Sequence, residues 1–352
     1  MKILLSGGGT MGSVSPLVAV YEKIKKQDLQ AEFLFIGTKN GPEKKAVEDY
    51  KINFKSICAG KFRRYFTWQN FIDPFCAFWG FWQSIFILLK FKPKAVMIAG
   101  SFAGVPMAWA SWLLRIPILI HQQDIVAGLA NKLMANIAKR ITVSFEISLK
   151  DFFSNKTVLT GNPVREEIYS CDAEKSKEFF KLKKDLPLLL ILGGGTGAQF
   201  INELVEKSLA ELLQFCQIIH LTGSGKSLAV EAENYHQFEF LTNEMPEALC
   251  AADLVVSRAG ISTLSELIIL GKPVILIPIP RSHQEINAQY FQKNNAVLTL
   301  RQENLNQAIF TDAIKELFVD KASMANLSRN ILKMMDRRGA ERVADLLLEI
   351  AK

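Results

Sequence analysis

One strand–glycine–helix signature occurs twice in this chain, and the repetition constrains the fold more than any other feature. Leu4–Gly12 reads LLSGGGTMG and Leu190–Ala198 reads LILGGGTGA. In each segment an apolar run leads into three glycines, a threonine and a predicted helix. Glycines let the backbone turn tightly, and the helix that follows directs its free N–H groups and positive dipole end at the loop. Two such openings predict two Rossmann-like domains in tandem.

The rest of the chain alternates short apolar runs with helical stretches. Runs so uniformly apolar are typical of strands buried on both faces of a parallel sheet. The fold class is therefore α/β, with two doubly wound parallel sheets. The predicted strands are Lys2–Ser6, Glu32–Ile36, Ala95–Ala99, Ile116–His121, Ile141–Ser144, Leu188–Leu192, Ile218–Thr222, Leu254–Ser257 and Val274–Pro278.

A domain boundary is expected near the TGNPVR motif, Thr160–Arg165, because proline disfavours helix in the residue before it. We predict an N-terminal domain over residues 1–160 and a C-terminal domain over residues 161–337. A last helix, within about 338–352, has no strand after it, so it can pack back on the first domain.

Charge and cysteine content indicate which kind of surface the protein could bind and which cellular compartment suits it. Residues 1–163 hold 21 Lys and Arg against 10 Asp and Glu, whereas residues 164–352 hold 21 against 25, so only the first half suits an anionic surface. The five cysteines are scattered and form no C-x-x-C motif, which argues against a disulfide scaffold or a thiolate zinc site and favours a reducing compartment. The N-terminal apolar run is too short for a signal peptide, so a cytoplasmic protein is expected.

The glycine loops match a dinucleotide fingerprint only formally. Gly7-x-Gly9-x-x-Gly12 has the spacing, but NAD binding also needs an acidic residue at the end of the next strand. The following runs, FLFIGT and IIHLTG, end without Asp or Glu. We expect no cofactor. Tight strand–helix packing without a ligand is the alternative role of these loops.

The most informative segment of the second half is Ala252–Pro280, which reads as strand, SRAG turn, helix, GKP turn and strand. Thr263-x-x-Glu266 fits a helix capping box, which would explain both residues structurally. The functional alternative is that Glu266 accepts hydrogen bonds from ribose hydroxyls at the carboxyl edge of the sheet, where open α/β sheets bind ligands. The spacing alone does not separate the two.

Three polar residues follow the next strand. His283, Gln284 and Asn287 carry donors and acceptors that suit sugar hydroxyls. The segment has no Asp-x-Asp pair and no second histidine at metal spacing, so no metal is expected. A bound diphosphate would then be neutralised by backbone N–H groups and Arg165.

At this point an ordered set of motifs resembles a known family, the bacterial peripheral-membrane glycosyltransferases that make lipid II. The match extends over essentially the whole chain. Its motifs are GGTMGSVSPLVAV (Gly8–Val20), HQQD with AGLANK (His121–Lys132), TGNPVR (Thr160–Arg165), GGGTGA (Gly193–Ala198), SRAGISTLSE (Ser257–Glu266) and HQEINA (His283–Ala288). The resemblance implies the GT-B fold, in which two Rossmann-like domains face a cleft. It also implies transfer of N-acetylglucosamine from UDP-N-acetylglucosamine to the C4 hydroxyl of the muramoyl sugar of lipid I, with inversion.

The resemblance implies roles for particular residues of this chain. Those beside the donor sugar or its diphosphate are Thr10, Met11, Gly12, Arg165, Gly195 and Thr196. Those at the nucleoside are Thr242 or its neighbour Leu241, which would meet uracil through the backbone, then Ile261, Ser262, Thr263, Leu264 and Ser265, and Glu266 at the ribose. Those that would grip N-acetylglucosamine are His283, Gln284 and Asn287.

The chain departs from the family pattern in its first half. The family loop GGTGGH reads GGTMGS here, so Met11 replaces a glycine and Ser13 replaces the histidine that usually helps to deprotonate the acceptor. The family motif HEQN reads HQQD, which places Asp124 where the family has asparagine. Gly195 and Thr196 replace a usual Ser-Gln pair. Ser13 hardly ionises, so we expect it to position the acceptor and Asp124 to serve as the base; Asp124 could instead cap a helix that begins near Val126.

An aromatic, basic segment suggests a membrane contact. Phe62–Phe91 holds 12 of the 35 aromatic residues, and basic residues flank it. Its apolar run, Phe75–Leu89, is 15 residues long, whereas a spanning helix needs about 20. Aromatic residues between basic flanks suit the interface of an anionic bilayer. The alternative is a helix that merely covers the sheet.

The sequence thus predicts a peripheral enzyme at the cytoplasmic face of the bacterial inner membrane. Its expected partners are UDP-N-acetylglucosamine, a polyprenyl-diphosphate-linked acceptor (lipid I) and an anionic membrane surface, with no nucleic acid. Two alternatives stay open. One is a related GT-B transferase for another nucleotide sugar or lipid acceptor, and the other is a catalytically weakened UDP-sugar-binding homologue.

Overall fold

The chain folds into two compact units. A computed structural model describes residues 1–39, 41, 43–60, 69–193 and 198–352, with the backbone alone described for Met11 and for residues 69–72. The first unit comprises Met1–Glu166 and Asp336–Lys352, and the second comprises Glu167–Met335. The chain therefore leaves the first unit just after Arg165 and returns to it at Asp336.

The described part of the first unit is built on a seven-stranded parallel sheet with the strand order β3-β2-β1-β4-β5-β6-β7. The strands are β1 Lys2–Ser6, β2 Glu32–Thr38, β3 Asn53–Ile57, β4 Ala95–Ala99, β5 Ile118–Gln122, β6 Arg140–Val143 and β7 Thr157–Leu159. The helices are α1 Ser15–Gln27, α2 Glu43–Asp49, α3 Gln69–Phe91, α4 Gly104–Leu113, α5 Leu129–Ala135 and, at the end of the chain, α14 Gly339–Ile350, with 3-10 turns at Met11–Ser13 and Glu146–Asp151.

Apolar side chains cover both faces of this sheet. On one face, α1 packs with α14, whose Val343, Ala344 and Leu347 are fully buried. On the other, α3, α4 and α5 cover the sheet, and Leu88 and Met107 lie in that core. The C-terminal helix is amphipathic, with an apolar stripe at helical spacing, so its burial against α1 needs no strand after it.

The second unit holds, among its described residues, a six-stranded parallel sheet with the order β10-β9-β8-β11-β12-β13. The strands are β8 Leu188–Leu192, β9 Gln217–Leu221, β10 Tyr235–Phe238, β11 Leu254–Ser257, β12 Val274–Leu276 and β13 Leu298–Thr299. The helices are α6 Glu167–Ser170, α7 Ala173–Phe179, α8 Gln199–Leu212, α9 Met245–Ala251, α10 Ile261–Leu270, α11 His283–Lys293, α12 Gln307–Val319 and α13 Lys321–Ile331, with a 3-10 turn at Gln302–Asn304.

Both sheets are doubly wound. In each, the chain runs outward from a central strand to one edge and then returns to build the other side, so the strand order reverses between β1 and β4 and between β8 and β11. Open α/β sheets bind ligands at such reversal points, beyond the carboxyl ends of the strands. The predicted α/β fold class is confirmed.

The cysteines require a correction. The sequence spacing favoured thiols without a disulfide, but the structure bonds Cys171 to Cys250, with a Cα–Cα distance of 6.2 Å. These residues are 79 positions apart, so only the packing of α6 and α7 against α9 brings them together. Cys58, Cys76 and Cys216 are free thiols.

Candidate functional site

The first glycine loop lies at the reversal point of the first sheet. It leaves β1 at Gly7 and leads through the turn Met11–Ser13 into α1. Gly9 has a φ of +82°, a left-handed conformation that side chains rarely adopt and that explains a glycine there. Thr10 is exposed and Gly12 is half-buried. The loop therefore presents Thr10 to solvent just beyond the sheet edge; the side chain of Met11 lies outside the described residues.

The hydroxyl group of Ser13 forms hydrogen bonds with the backbone of this loop. Ser13 is 6% exposed, and its hydroxyl accepts a hydrogen bond from Gly8 N at 2.9 Å and lies within donating distance of Thr10 O at 3.1 Å. A serine hydroxyl has one proton to donate. In this arrangement Ser13 stabilises the turn that carries Thr10 and Gly12.

In the HQQD segment, the side chains of His121 and Gln122 are buried and make polar contacts. His121 Nε2 lies 2.8 Å from Asn162 Oδ1 and Nδ1 lies 2.9 Å from Thr142 Oγ1. Burial lowers the pKa of His121 to about 4, so the ring is neutral near pH 7. The side-chain amide of Gln122 donates to Asp124 O at 2.8 Å and to Val126 O at 3.1 Å. The two Gln122 bonds fix the loop that follows β5.

Asp124 lies in that loop and is half-buried. The expected alternative, a cap on a helix near Val126, is wrong: α5 begins at Leu129 with Gly128 as its N-cap. Gln122 and Ser148 instead contact the backbone carbonyl of Asp124. Since β5 ends at Gln122, the carboxyl group of Asp124 stands just beyond the carboxyl edge of the sheet.

In the second unit, the SRAG turn follows β11 and is held by buried side chains. The Arg258 guanidinium donates to Ile277 O at 2.8 Å and to Gln302 Oε1 at 2.8 Å. The amide of buried Asn287 donates to Ala259 O at 3.0 Å. These bonds tie the turn to the loop after β12, to the 3-10 turn at Gln302–Asn304 and to α11. The sequence analysis gave Arg258 no role. Its position between an apolar strand and a glycine could have marked it as a residue that holds this turn.

The start of α10 bears on one of the two roles considered for Glu266, the capping box. The helix begins at Ile261 with Gly260 as its N-cap, and no side chain caps it. Thr263 is thus the third helical residue, so the expected capping box is wrong. Glu266 is nonetheless 6% exposed, and burial of a carboxylate is costly unless hydrogen-bonding partners meet it. Binding of ribose by Glu266 stays a prediction.

Other predicted donor-site residues surround this turn. His283 and Gln284 open α11, where Gln284 Oε1 accepts from Ile279 N at 3.2 Å, and His283 is exposed. Ser262 and Thr263 are half-buried, whereas Ile261, Leu264 and Ser265 are buried, and Ser265 Oγ donates to Ile261 O at 2.8 Å. The three buried residues can meet a ligand mainly through their backbone. Asn287 links α11 to the turn.

The remaining predicted residues are more scattered. Thr242 is exposed and Leu241 is buried, in the segment between β10 and α9. Arg165 is half-buried and belongs to the first unit. Gly195 and Thr196 lie outside the described residues. No group of three or more His, Cys, Asp or Glu side chains suited to a metal ion occurs in the described part of the chain.

An apolar face of α3 is exposed in the first unit. The stretch Asp73–Phe91 is long and apolar enough to cross a membrane by length and composition alone, and 22% of it is buried. Gly80, Ser84 and Leu88 face the protein core. The large apolar side chains at least half exposed on this helix are Phe75, Phe78, Trp79, Trp82, Phe86 and Leu89. The basic residues before the helix, Lys61, Arg63 and Arg64, lie outside the described residues. Lys90, in the last turn of the helix, and Lys94, after it, are exposed.

Two tandem units, each with a doubly wound parallel sheet, form the GT-B architecture that is found in glycosyltransferases. Residues 3–143 match the N-terminal domain of glycosyltransferase family 28, and residues 188–343 match its C-terminal domain. The chain belongs to glycosyltransferase family 28.

Individual relatives agree with this assignment. A protein of Clostridium kluyveri named UDP-N-acetylglucosamine–N-acetylmuramyl-(pentapeptide) pyrophosphoryl-undecaprenol N-acetylglucosamine transferase is 38% identical over 331 residues, which cover 92% of this chain and 93% of the relative. The crystal structure of Acinetobacter baumannii MurG matches with a TM-score of 0.74 at 23% identity, over 99% of both chains. The glycosyltransferase of kitacinnamycin matches with a TM-score of 0.76 at 15% identity, over 99% of this chain and 98% of that one. The two structures support the fold.

Proposed function

We propose that this enzyme transfers N-acetylglucosamine from UDP-N-acetylglucosamine to the C4 hydroxyl of the muramoyl sugar of lipid I, which yields lipid II. The observation that carries the proposal is the match, over nearly the full length of both chains, to a relative named for that transfer. The acceptor oxygen attacks C1 of the donor sugar in one displacement, C1 inverts, and UDP leaves with the electron pair of the broken C–O bond.

In the second unit, the surroundings of the SRAG turn support a donor site. Glu266 would accept hydrogen bonds from the ribose hydroxyls, since a carboxylate offers two acceptor oxygens and Glu266 lies on α10, the helix that follows the SRAG turn. His283, Gln284 and Asn287 on α11 would meet N-acetylglucosamine. The backbone of Leu241 and Thr242 would meet uracil. The resemblance also gives the diphosphate to Gly195 and Thr196 and, from the first unit, to Arg165, which would stabilise its developing charge without a metal.

In the first unit, we assign the acceptor side to the loop after β1 and the loop after β5. Thr10, Met11 and Gly12 would lie beside the transferred sugar. Asp124 would take the proton of the attacking hydroxyl. Ser13 is buried and bonded to its own loop, so its part in acceptor positioning would be to shape the turn.

The exposed aromatic face of α3 supports attachment to an anionic membrane surface. Six large apolar side chains at half exposure or more exceed what a helix that merely covers a sheet displays. One side of the helix is fixed in the core by Ile87 and Leu88, which favours a helix that lies in the interface. The lipid-linked acceptor would be reached at the cytoplasmic face of the bacterial inner membrane.

The test is release of UDP from UDP-N-acetylglucosamine by the purified enzyme, with and without a lipid I analogue. We expect release to depend on the acceptor and EDTA to leave it intact. Glu266→Ala should weaken UDP binding about 10-fold to 100-fold, since hydrogen bonds to a charged group contribute about 1.5–3 kcal/mol. Glu303→Ala, at an exposed glutamate of the same unit, is the matched control.

Other outcomes would redirect the proposal. UDP-N-acetylglucosamine binding without acceptor-dependent release would identify a weakened sugar-nucleotide-binding protein. Turnover with a different nucleotide sugar or lipid acceptor would identify a related transferase. A lower melting temperature for Glu266→Ala with unchanged UDP affinity would make Glu266 a structural residue.

A further inference from the structure

A fully buried carboxylate lies against the first glycine loop. Glu43, the first residue of α2, is 0% exposed. Its Oε1 accepts hydrogen bonds from Thr38 N at 2.7 Å and from Thr38 Oγ1 at 2.5 Å. Its Oε2 accepts from Gly9 N at 3.2 Å. Burial of a carboxylate is costly unless hydrogen bonds replace water, so these donors account for its presence there.

Three glycines leave the space that this carboxylate occupies. A Cβ added at Gly8, Gly37 or Gly41 would lie within 3.0 Å of a side-chain atom of Glu43, closer than real Cβ atoms approach. The three glycines come from the loop after β1, from β2 and from the turn before α2. The pattern Gly37-Thr38-x-x-Gly41-x-Glu43 thus forms a cradle for one carboxylate.

Two serine side chains also form hydrogen bonds with the backbone of this loop. Ser101 Oγ, from the turn after β4, donates to Gly8 O at 3.0 Å. Ser13 Oγ accepts from Gly8 N at 2.9 Å. Side chains from three separate segments therefore fix Gly8 and Gly9 at the reversal point between β1 and β4. Thr10 and Gly12, assigned above to the substrate side, follow directly in the chain.

We propose that Glu43 is a positioning residue for glycosyl transfer: it fixes the Gly9 amide and thereby the conformation of the Gly9–Gly12 loop that meets the substrates. The inference rests on the proposed function, and it assigns Glu43 no contact with substrate, since its side chain is fully buried. A loop displaced by about 1 Å can cost about 100-fold in rate, so a residue remote from the reacting atoms can control turnover.

The two acceptor oxygens of Glu43 are as necessary as the shape of its side chain. A carboxylate has two acceptor oxygens, whereas glutamine has one oxygen and an NH₂ group that only donates. In Glu43→Gln, the oxygen can keep the two Thr38 contacts, but the NH₂ group then faces the Gly9 N–H. The variant keeps the size of the side chain and loses the bond to the loop, so it separates positioning from packing.

The experiment compares Glu43→Gln with Glu48→Gln, an exposed glutamate on the same helix that pairs with Lys44 at 4.0 Å. Glu43→Gln should lower kcat with the lipid I analogue about 10-fold to 100-fold, while UDP affinity stays within about twofold, because we assign the nucleoside to residues of the second unit. Glu48→Gln should leave both unchanged. If Glu43→Gln fails to fold, Ser101→Ala, which removes the bond to Gly8 O, should produce the same split.

Hydrogen exchange gives a readout that does not depend on the reaction. Glu43→Gln should speed amide exchange in the peptide Gly7–Gly12 at least about tenfold, with α1 still protected. Unchanged exchange in that peptide, or unchanged kcat in an active enzyme, would overturn the positioning role. An inactive parent enzyme would instead count against the proposed function, while the exchange measurement would still decide the role of Glu43.

Discussion

At the scale of single residues, two helix starts changed the interpretation of two carboxylates. Thr263 and Asp124 each fitted a helix-capping role by spacing, but α10 and α5 start on Gly260 and Gly128 as N-caps. Glycine caps give a weaker sequence signal than serine, threonine or aspartate, because they contribute no side-chain acceptor. The sequence therefore supplied candidate residues for the site, whereas it did not predict where the two neighbouring helices begin.

Asp124→Asn tests the proposed base and restores the residue that is usual in the family. We expect kcat to fall about 100-fold or more, since a general base typically contributes that much, and the acidic limb of the pH–rate profile to disappear. The matched control is Asp151→Asn, because Asp151 Oδ2 accepts from Ala127 N at 2.9 Å in the same region. That control should lower stability and keep the acidic limb. Full activity of Asp124→Asn would place the base elsewhere.

At the scale of elements, the accuracy of the sequence prediction depended on position in the sheet. Every interior strand was anticipated as an apolar run, for example β4 and β8, in which all five residues are buried. The strands that the sequence did not reveal are β3, β7, β10 and β13, and these are the edge strands of the two sheets. An edge strand has one neighbour and is partly solvated, so it lacks a continuous apolar run. In β3, for instance, Asn53 and Lys55 are exposed.

Substitutions on α3 can separate the contribution of charge to membrane binding from the contribution of apolar side chains. Binding to anionic vesicles should weaken as salt rises, because the flanking lysines act within a Debye length of the surface. Lys90→Glu should weaken binding at low salt, whereas Lys207→Glu, on exposed α8 surface, should not. Phe86→Ser should weaken binding at every salt concentration, with Val319→Ser as its control, since these side chains are 69% and 76% exposed.

The vesicle measurements also test the alternative that α3 makes no contact with a membrane. Equal binding to neutral and anionic vesicles, or binding that is unaffected by both Lys90→Glu and Phe86→Ser, would make α3 a helix that only covers the sheet. UDP affinity should stay constant in all four variants, because none of them lies among the residues assigned to the nucleotide.

At the scale of the whole molecule, each unit contains a fully buried neutral histidine. His121 in β5 pairs with Asn162 at 2.8 Å, and His220 in β9 pairs with Asn202 at 3.1 Å. Burial lowers the pKa of each to about 4, against about 6.5 in an unfolded chain. Both units therefore share one response to acid, although their net charges differ in sign.

The sign of that response follows from proton binding. Between about pH 4 and 6.5 the unfolded chain binds a proton at each histidine and the folded chain does not, so the stabilisation is fully present above pH 6.5 and is lost as the pH falls toward 4. A shift of this size corresponds to about 3 kcal/mol per histidine. We expect the free energy of unfolding to fall by several kcal/mol from pH 7 to pH 4.5, as measured by urea denaturation at each pH.

His121→Gln assigns the acid response to the buried ring, because glutamine cannot take up a proton in this range. The variant should be less stable at pH 7, since the contacts to Asn162 and Thr142 change, yet its stability should depend less on pH than that of the parent. His283→Gln, at an exposed histidine, should leave the pH dependence unchanged. In the folded parent, the NMR signals of His121 and His220 should keep their neutral-form shifts at pH 5.5. A titration of either signal near pH 6.5 would mean that water reaches the ring, and the acid sensitivity would then have to come from carboxylates.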